Sequence, residues 1–212
     1  VSVSRETAAS FETYLAMLKD WQARFNLVSP STLDNAYARH IDDSLQLVET
    51  LPGSQPRKIW VDMGSGAGFP GLVAAVTVPE SRVHLIESRD KKCRFLEAVA
   101  AKLGIAERVT IHSVRIESMQ GPKADIISAR ACAGLPKLLD WGLRFQGRDT
   151  LWVLPKGRRA LDEIEDAEKD FSFELETLPS RTDPEARILH IRDVKRVRRP
   201  GFEARKGGRK RP

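Results

Sequence analysis

A single transition between Lys58 and Val76 limits what this chain can fold into. Ile59-Trp60-Val61-Asp62-Met63 is a short apolar run carrying one carboxylate, and it passes at once into four glycines within eight residues: Gly64, Gly66, Gly68 and Gly71. Leu72-Val73-Ala74-Ala75-Val76 follows, apolar enough for a helix. A strand, a Gly-rich turn and a helix start form the first half of a nucleotide-binding βα unit. Glycines there permit positive φ and let a ligand lie directly against the backbone. The next apolar run, Val83-His84-Leu85-Ile86, ends on Glu87, twenty-three positions after Gly64. A carboxylate at the tip of a second strand can accept hydrogen bonds from both hydroxyls of a ribose.

Two cofactor patterns compete for the loop. Gly66-x-Gly68-x-x-Gly71 satisfies the dinucleotide string GxGxxG, whereas Asp62-x-Gly64-x-Gly66-x-Gly68 resembles the D/E-x-G-x-G-x-G loop of S-adenosylmethionine-dependent methyltransferases. A dinucleotide loop cradles a pyrophosphate at a helix N-terminus, where the dipole favours negative charge. Adenosylmethionine has no phosphate, and its methionine end carries an ammonium and a sulfonium. Asp62 gives the loop an anionic group for that cationic end, so the second pattern is favoured. A Gly-rich turn of some other α/β protein is the bland alternative.

With 41% apolar and 30% charged residues, a chain of 212 residues is expected to make one domain plus an extension. That length buries a large core without disulfide staples. Cys93 and Cys132 fall within predicted α/β structure, so reduced thiols and a cytoplasmic location are expected. No apolar run approaches the ~18 residues of a membrane span. The chain begins at Val1 rather than Met, so a natural start further upstream is expected. The net charge of +6 is uneven: from Val194 to Pro212 there are nine Lys or Arg against one acid, leaving −2 for the remainder. Such a stretch is the footprint of a polyanion partner, most often nucleic acid, or else a solvated terminus.

From its start, the chain predicts a helix over Ser4–Leu27, with Phe11, Leu15, Leu18 and Phe25 on one stripe, and a second over Ser31–Leu51. Together, residues 1–51 form an N-terminal helical cap. Within the second helix, Arg39 and Asp43 are i,i+4 neighbours, and the expectation is an ordinary surface pair rather than a cluster facing the site. Leu51–Pro56 reads as a linker. Residues 57–195 then alternate strand and helix: strands at Ile59–Met63, Arg82–Glu87, Val109–His112, Ala124–Ser128 and Thr150–Leu154, and helices through about Val78 and over Lys91–Leu103, Leu135–Phe145 and Arg158–Asp170. Phe173–Leu178 and Arg187–Val194 alternate like half-buried strands and are read as a closing hairpin. The expected fold is α/β, a doubly wound, Rossmann-like, seven-stranded methyltransferase sheet with a terminal antiparallel hairpin. Residues 196–212 are read as a basic C-terminal tail.

Over nearly its whole length the chain resembles the bacterial 16S ribosomal RNA guanine-N7 methyltransferases, also called glucose-inhibited division protein B. The resemblance is carried by Trp21 with Phe25-Asn26-Leu27-Val28-Ser29, by Arg39-His40-x-x-Asp43-Ser44-Leu45, and by Asp62 through Gly71. It continues through Ser88 with Lys91–Leu96, Arg115-Ile116-Glu117, Ser128-Ala129-Arg130-Ala131 and Leu154-Pro155-Lys156-Gly157. It implies adenosylmethionine as cofactor and, as target, the guanine at position 527 (ribosomal RNA numbering) in the small ribosomal subunit. It also implies a donor pocket using Gly64 and Phe69 of the loop, Ile116 and Glu117 after the third strand, and Arg130 after the fourth. Asp62, Gly66, Gly68 and Glu87 join them from the pattern above.

Guanine N7 carries a lone pair at neutral pH, so this chemistry needs no general base, only alignment and control of charge. The loop Ser128-Ala129-Arg130-Ala131-Cys132 lacks the Asn/Asp-Pro-Pro-aromatic signature of amine methylation, and no Pro-Cys dipeptide marks a cytosine nucleophile. Cys132 is therefore expected to be an inert core thiol. Arg130 and Lys156 are the candidates for substrate positioning. For Lys156 two readings stay open, a phosphate or guanine contact and a solvated strand-end lysine. His40 is expected to be a packed helix histidine, and His84, His112 and His190 to be structural. No Cys/His spacing suggests a metal. Other functions remain in view: a methyltransferase of another RNA, a protein or a small molecule, and a non-catalytic RNA-binding assembly factor.

Overall fold

The computed structural model describes residues 3–197. The predicted tail over 196–212 therefore lies, apart from Arg196 and Val197, outside the described residues. Seven strands form one sheet: β1 (Ile59–Met63), β2 (Arg82–Glu87), β3 (Val109–Ser113), β4 (Ala124–Ser128), β5 (Gln146–Lys156), β6 (Phe171–Pro179) and β7 (Arg187–Arg196), in the order β3-β2-β1-β4-β5-β7-β6. β1 to β5 are parallel, and β7 is antiparallel to both β5 and β6. The order reverses between β1 and β4, and there the loops leaving the two strands part and open a crevice at the carboxyl ends.

The central strands are buried on both faces, and their near-continuous apolar runs reflect it. On one face α1 (Arg5–Gln22), α2 (Asp43–Glu49), α3 (Gly71–Thr77) and α4 (Asp90–Lys102) bury Phe11, Tyr14, Leu18, Leu47, Leu72 and Phe95 against Trp60, Val83 and Leu85. On the other, α5 (Leu135–Gly142) and α6 (Ala160–Glu168) cover Val61, Met63, Ile127 and Trp152. Each fully buried large side chain contributes roughly 1.5–3 kcal/mol relative to exposure.

The N-terminal region departs from expectation. α1 starts as predicted, with the Ser4 hydroxyl accepting from the Thr7 amide, but it stops at Gln22. The Gln22 side chain then accepts from the Leu27 and Val28 amides and donates to the Val28 carbonyl, giving the backbone an alternative to helix. The second predicted helix is three pieces: a 3₁₀ turn over Pro30–Thr32, a π-helical stretch over Tyr37–Asp42, and α2. The π stretch changes the phase of every residue after it, a device found mostly at functional sites. Tyr37 is exposed, while His40, Ile41 and Ser44 are buried.

Candidate active site

The glycine loop makes the floor of the crevice. Gly64, Gly66 and Gly68 hold φ of +68°, +58° and +95°, so the pattern of alternating glycines is a backbone requirement here. Two carboxylates hold the loop, and neither does quite what was expected of it. Glu87, at the tip of β2, accepts from the Gly66 amide (3.0 Å) through one oxygen and from the Arg89 amide (2.8 Å) through the other. It lines the crevice, but it also closes the loop onto β2. Asp62 is fully buried beneath the loop and does not reach the crevice wall. One of its oxygens accepts from the Ser128 hydroxyl (2.7 Å), tying β1 to β4. The other packs beside Gly71 without a hydrogen bond of ordinary geometry. Burial pushes its carboxyl up to about 6, against the pull of the Ser128 and Ser65 hydroxyls, the Gly71 amide and the Arg130 charge. The expected direct contact between Asp62 and a cationic ligand has no opening at the crevice wall here, where Asp62 lies beneath the loop.

Gly68 faces inward, against Tyr14 and Leu72. The Tyr14 hydroxyl donates to the Ala67 carbonyl, and its ring stacks on Phe69 at 4.9 Å. On the other face of Phe69 lies His40, also at 4.9 Å, with the Arg130 guanidinium 5.0 Å from the same ring. Cap and loop are therefore one packed unit, with Phe69 between a tyrosine from α1 and a histidine from the π stretch.

Arg130 leaves β4 just before Ala131, which sits at a φ of +49°, uncommon for a side-chain-bearing residue. The turn aims Arg130 at the cap and Cys132 at Gly64. Arg130 donates to the Arg39 carbonyl (2.9 Å), to Nδ1 of His40 (3.0 Å) and to Asp43 (3.4 Å). Because arginine can only donate, Nδ1 of His40 is the acceptor and Nε2 carries its proton, which goes to the Thr32 hydroxyl (3.0 Å). Burial, and then the Arg130 charge, lower the imidazole to about 4, consistent with that neutral form. Asp43 in turn accepts from Thr182 (2.6 Å) and Gln46 (2.9 Å), and Gln46 also engages Ser180 and the Arg181 amide. This network joins the cap, the loop after β4 and the β6–β7 turn, three segments far apart in the chain.

The surface pairing of Arg39 with Asp43 is overturned, since Asp43 pairs with Arg130 across the crevice and Arg39 is exposed. His40 is packed, as expected, but it also lines the crevice. Cys132 is not in the core: it is half-buried on the crevice wall, against the position a Gly64 side chain would take. Burial raises its thiol, which fits an unreactive wall. Lys156 is not a solvated strand end. It is 7% exposed, donating to Glu163 (2.8 Å) and to the Ala133 carbonyl (3.0 Å). Gln46, Thr182 and Glu163 carry no local signal as site residues, because only the folded chain brings them together, and Asp43 joins them from the cluster whose site-facing reading the sequence disfavours.

The crevice has a volume of about 940 Å³. Gly64, Gly66, Phe69, Glu87, Ile116, Glu117, Arg130 and Lys156 all line it, whereas Gly68 and Asp62 do not. Ile116 is buried and Glu117 exposed, and both follow β3. Among the described residues no helix is long and apolar enough to cross a membrane, and no three His, Cys, Asp or Glu gather as metal ligands.

Comparison with known proteins agrees with this geometry. The chain is 44% identical over 207 residues to the ribosomal RNA small subunit methyltransferase G of Rhizorhabdus wittichii, covering 98% of this chain and 93% of that one. It is also 44% identical, over 193 residues, to the protein of the same name from Rhodospirillum centenum, covering 91% and 87%. Among solved structures, a mutant of MtNAS in complex with S-adenosylmethionine shares the fold at 16% identity, with a TM-score of 0.57 and coverage of 89% of this chain and 72% of that one. Residues 7–188 match the family described as GidB, rRNA small subunit methyltransferase G, and the chain belongs to that family.

Proposed function

We propose that this protein methylates N7 of a guanine in 16S ribosomal RNA of the small subunit, at position 527 in ribosomal RNA numbering, with adenosylmethionine as donor. The observation that carries the reading is the crevice itself: a backbone cradle of positive-φ glycines flanked by Glu87 and Ile116, opposite a wall of largely buried cations each paired with a carboxylate. The residues fit the donor. Gly66 leaves backbone room, Glu87 offers acceptors at the strand tip where ribose hydroxyls would lie, and Ile116 gives an apolar surface for adenine. Adenosylmethionine, when bound, supplies a methyl whose bond to a cationic sulfur breaks, leaving the electron pair on sulfur, as N7 forms its new bond.

No residue has to remove a proton from N7, and the histidine that lines the crevice, His40, is committed through both ring nitrogens. What the chain supplies is alignment and charge balance. Arg130 is held against Phe69 by Asp43 and His40, and Lys156 is held by Glu163. Two cations so fixed can orient a polyanionic substrate without presenting unbalanced positive charge to a base that becomes cationic. The rim adds Arg39, Arg89, Lys92, Arg115, Lys137 and Arg187 for phosphates. A cytoplasmic location goes with this reading.

The test uses small subunits from cells lacking the methyl, with labelled adenosylmethionine, and borohydride–aniline cleavage to locate N7-methylguanine. One new cut at the expected guanine is the predicted result. Label at another atom or another base would overturn the assignment while leaving the family membership in place.

A further inference from the structure

Resting on the guanine-N7 reading above, we infer that Lys156 is a specificity-determining residue that donates a hydrogen bond to O6 of the target guanine. The sheet order sets the geometry. Glu87 ends β2 and the glycine loop leaves β1, so a donor cradled there occupies the β2–β1 side of the crevice. The acceptor is left the side built on β4 and β5, and Lys156 is the last residue of β5.

Three observations single it out among the cations lining the crevice. It is buried, while Arg39, Arg89, Arg115 and Lys137 are exposed and would meet phosphates through water. It has a donor to spare: an ammonium carries three N–H groups, and the partners among the described residues, Glu163 Oε2 and the Ala133 carbonyl, take two. Arg130 also keeps donors to spare, but its guanidinium is directed at three partners in the cap. Glu163 is itself fixed, since the same oxygen accepts from the Leu135 amide at 2.7 Å, so the ammonium is held in one place. A buried ion pair adds little stability over apolar packing, which leaves its placement beside the crevice to be explained.

The chemistry of the base supplies the explanation. On the edge that carries N7, guanine presents a second acceptor, O6, whereas adenine presents an N6 amine donor. A lysine can donate and cannot accept. A fixed ammonium beside N7 therefore admits guanine and leaves adenine with two donors facing each other. The Glu163 carboxylate offsets the ammonium as the ring takes up positive charge.

A double-mutant cycle tests this. Lys156→Met keeps an unbranched side chain one atom shorter and removes the donor. 2-Aminopurine at the target position, introduced by ligating a synthetic segment into 16S RNA before subunit reconstitution, keeps N7 and removes O6. On guanine subunits, at a temperature where both proteins are folded, K156M should lower kcat/KM about tenfold to a hundredfold, with adenosylmethionine affinity close to wild type. On 2-aminopurine subunits the two enzymes should differ by less than about threefold. Equal losses on both bases would make Lys156 merely structural and overturn the inference, as would unchanged activity on guanine. Wild-type enzyme that labels reconstituted guanine subunits anywhere but N7 would instead remove the reading on which the inference rests.

Discussion

The two sides of the crevice are built by different means. On the donor side the main chain does most of the work, with three glycines at positive φ, amides closed onto Glu87, and Asp62 buried beneath them. On the acceptor side the wall is made of side chains, with Arg130, His40, Asp43, Gln46 and Thr182 meeting from segments up to 139 residues apart. A backbone cradle is written in consecutive residues and tolerates almost no substitution at its glycines. A side-chain wall is spread through the chain, and each member can be removed at graded cost.

The largest effect is expected on the donor side. A Cβ on Gly68 would fall 2.5 Å from Leu72 and 2.6 Å from the Tyr14 hydroxyl, at a φ of +95°. Gly68→Ala should weaken adenosylmethionine binding by more than about a hundredfold, as read by calorimetry, because strain and overlap both act on the loop. Next comes Asp43→Ala, which leaves Arg130 without its carboxylate. Stability should fall by about 2 kcal/mol in denaturant titration and kcat/KM on subunits by about tenfold, while donor affinity stays within about threefold. Equal damage to donor binding would erase the distinction between the two sides. A smaller loss, of about 1 kcal/mol, is expected for Thr182→Val, which keeps the shape and loses the bond to Asp43, with Thr182→Ser close to wild type.

The smallest effect is a cancellation. Asp62 is raised from 3.8 to about 6, so the stability it contributes is full below about pH 4 and is lost as pH rises through 6. His40 is lowered from 6.5 to about 4, so its contribution is present above pH 6.5 and is lost as pH falls through 4. The shifts are of similar size and opposite sign over the same window, so the contributions of these two residues should nearly cancel from pH 4 to 6.5, leaving the slope there to the half-buried His84 and His112 and the buried His190. Compared with wild type, His40→Asn should be relatively less stable as pH rises through that window, and Asp62→Asn relatively more stable. Parallel profiles for all three proteins in urea titrations would refute the pairing.

The same contrast explains what could be read from the chain. β1, β2 and β4 run over the residues their apolar runs predict, and the glycine loop lies where its pattern puts it. The cap departs from its local pattern where a π stretch replaces regular helix, because i,i+4 spacing assumes a constant turn and so pairs Arg39 with Asp43. Cys132 reads as a core thiol from the lack of a nucleophile signature, and only the turn at Ala131 shows that it faces Gly64. Lys156 could not be assigned from its neighbours, since its partner Glu163 lies on the following helix. Strand limits follow local hydrophobicity, whereas polar partners chosen across the fold leave no periodic trace.

The Tyr14 contact has a consequence for how the protein opens. Its hydroxyl holds the Ala67 carbonyl while its ring supports Phe69, so the glycine loop cannot loosen until α1 lifts away from the sheet. Amide exchange in the loop should therefore be clocked by the N-terminal helix rather than by the loop's own glycines, and the two segments should exchange as a single cooperative unit. Trp21, set edge-on to Phe95 of α4 at 5.5 Å, is placed to report the same event as a change in fluorescence.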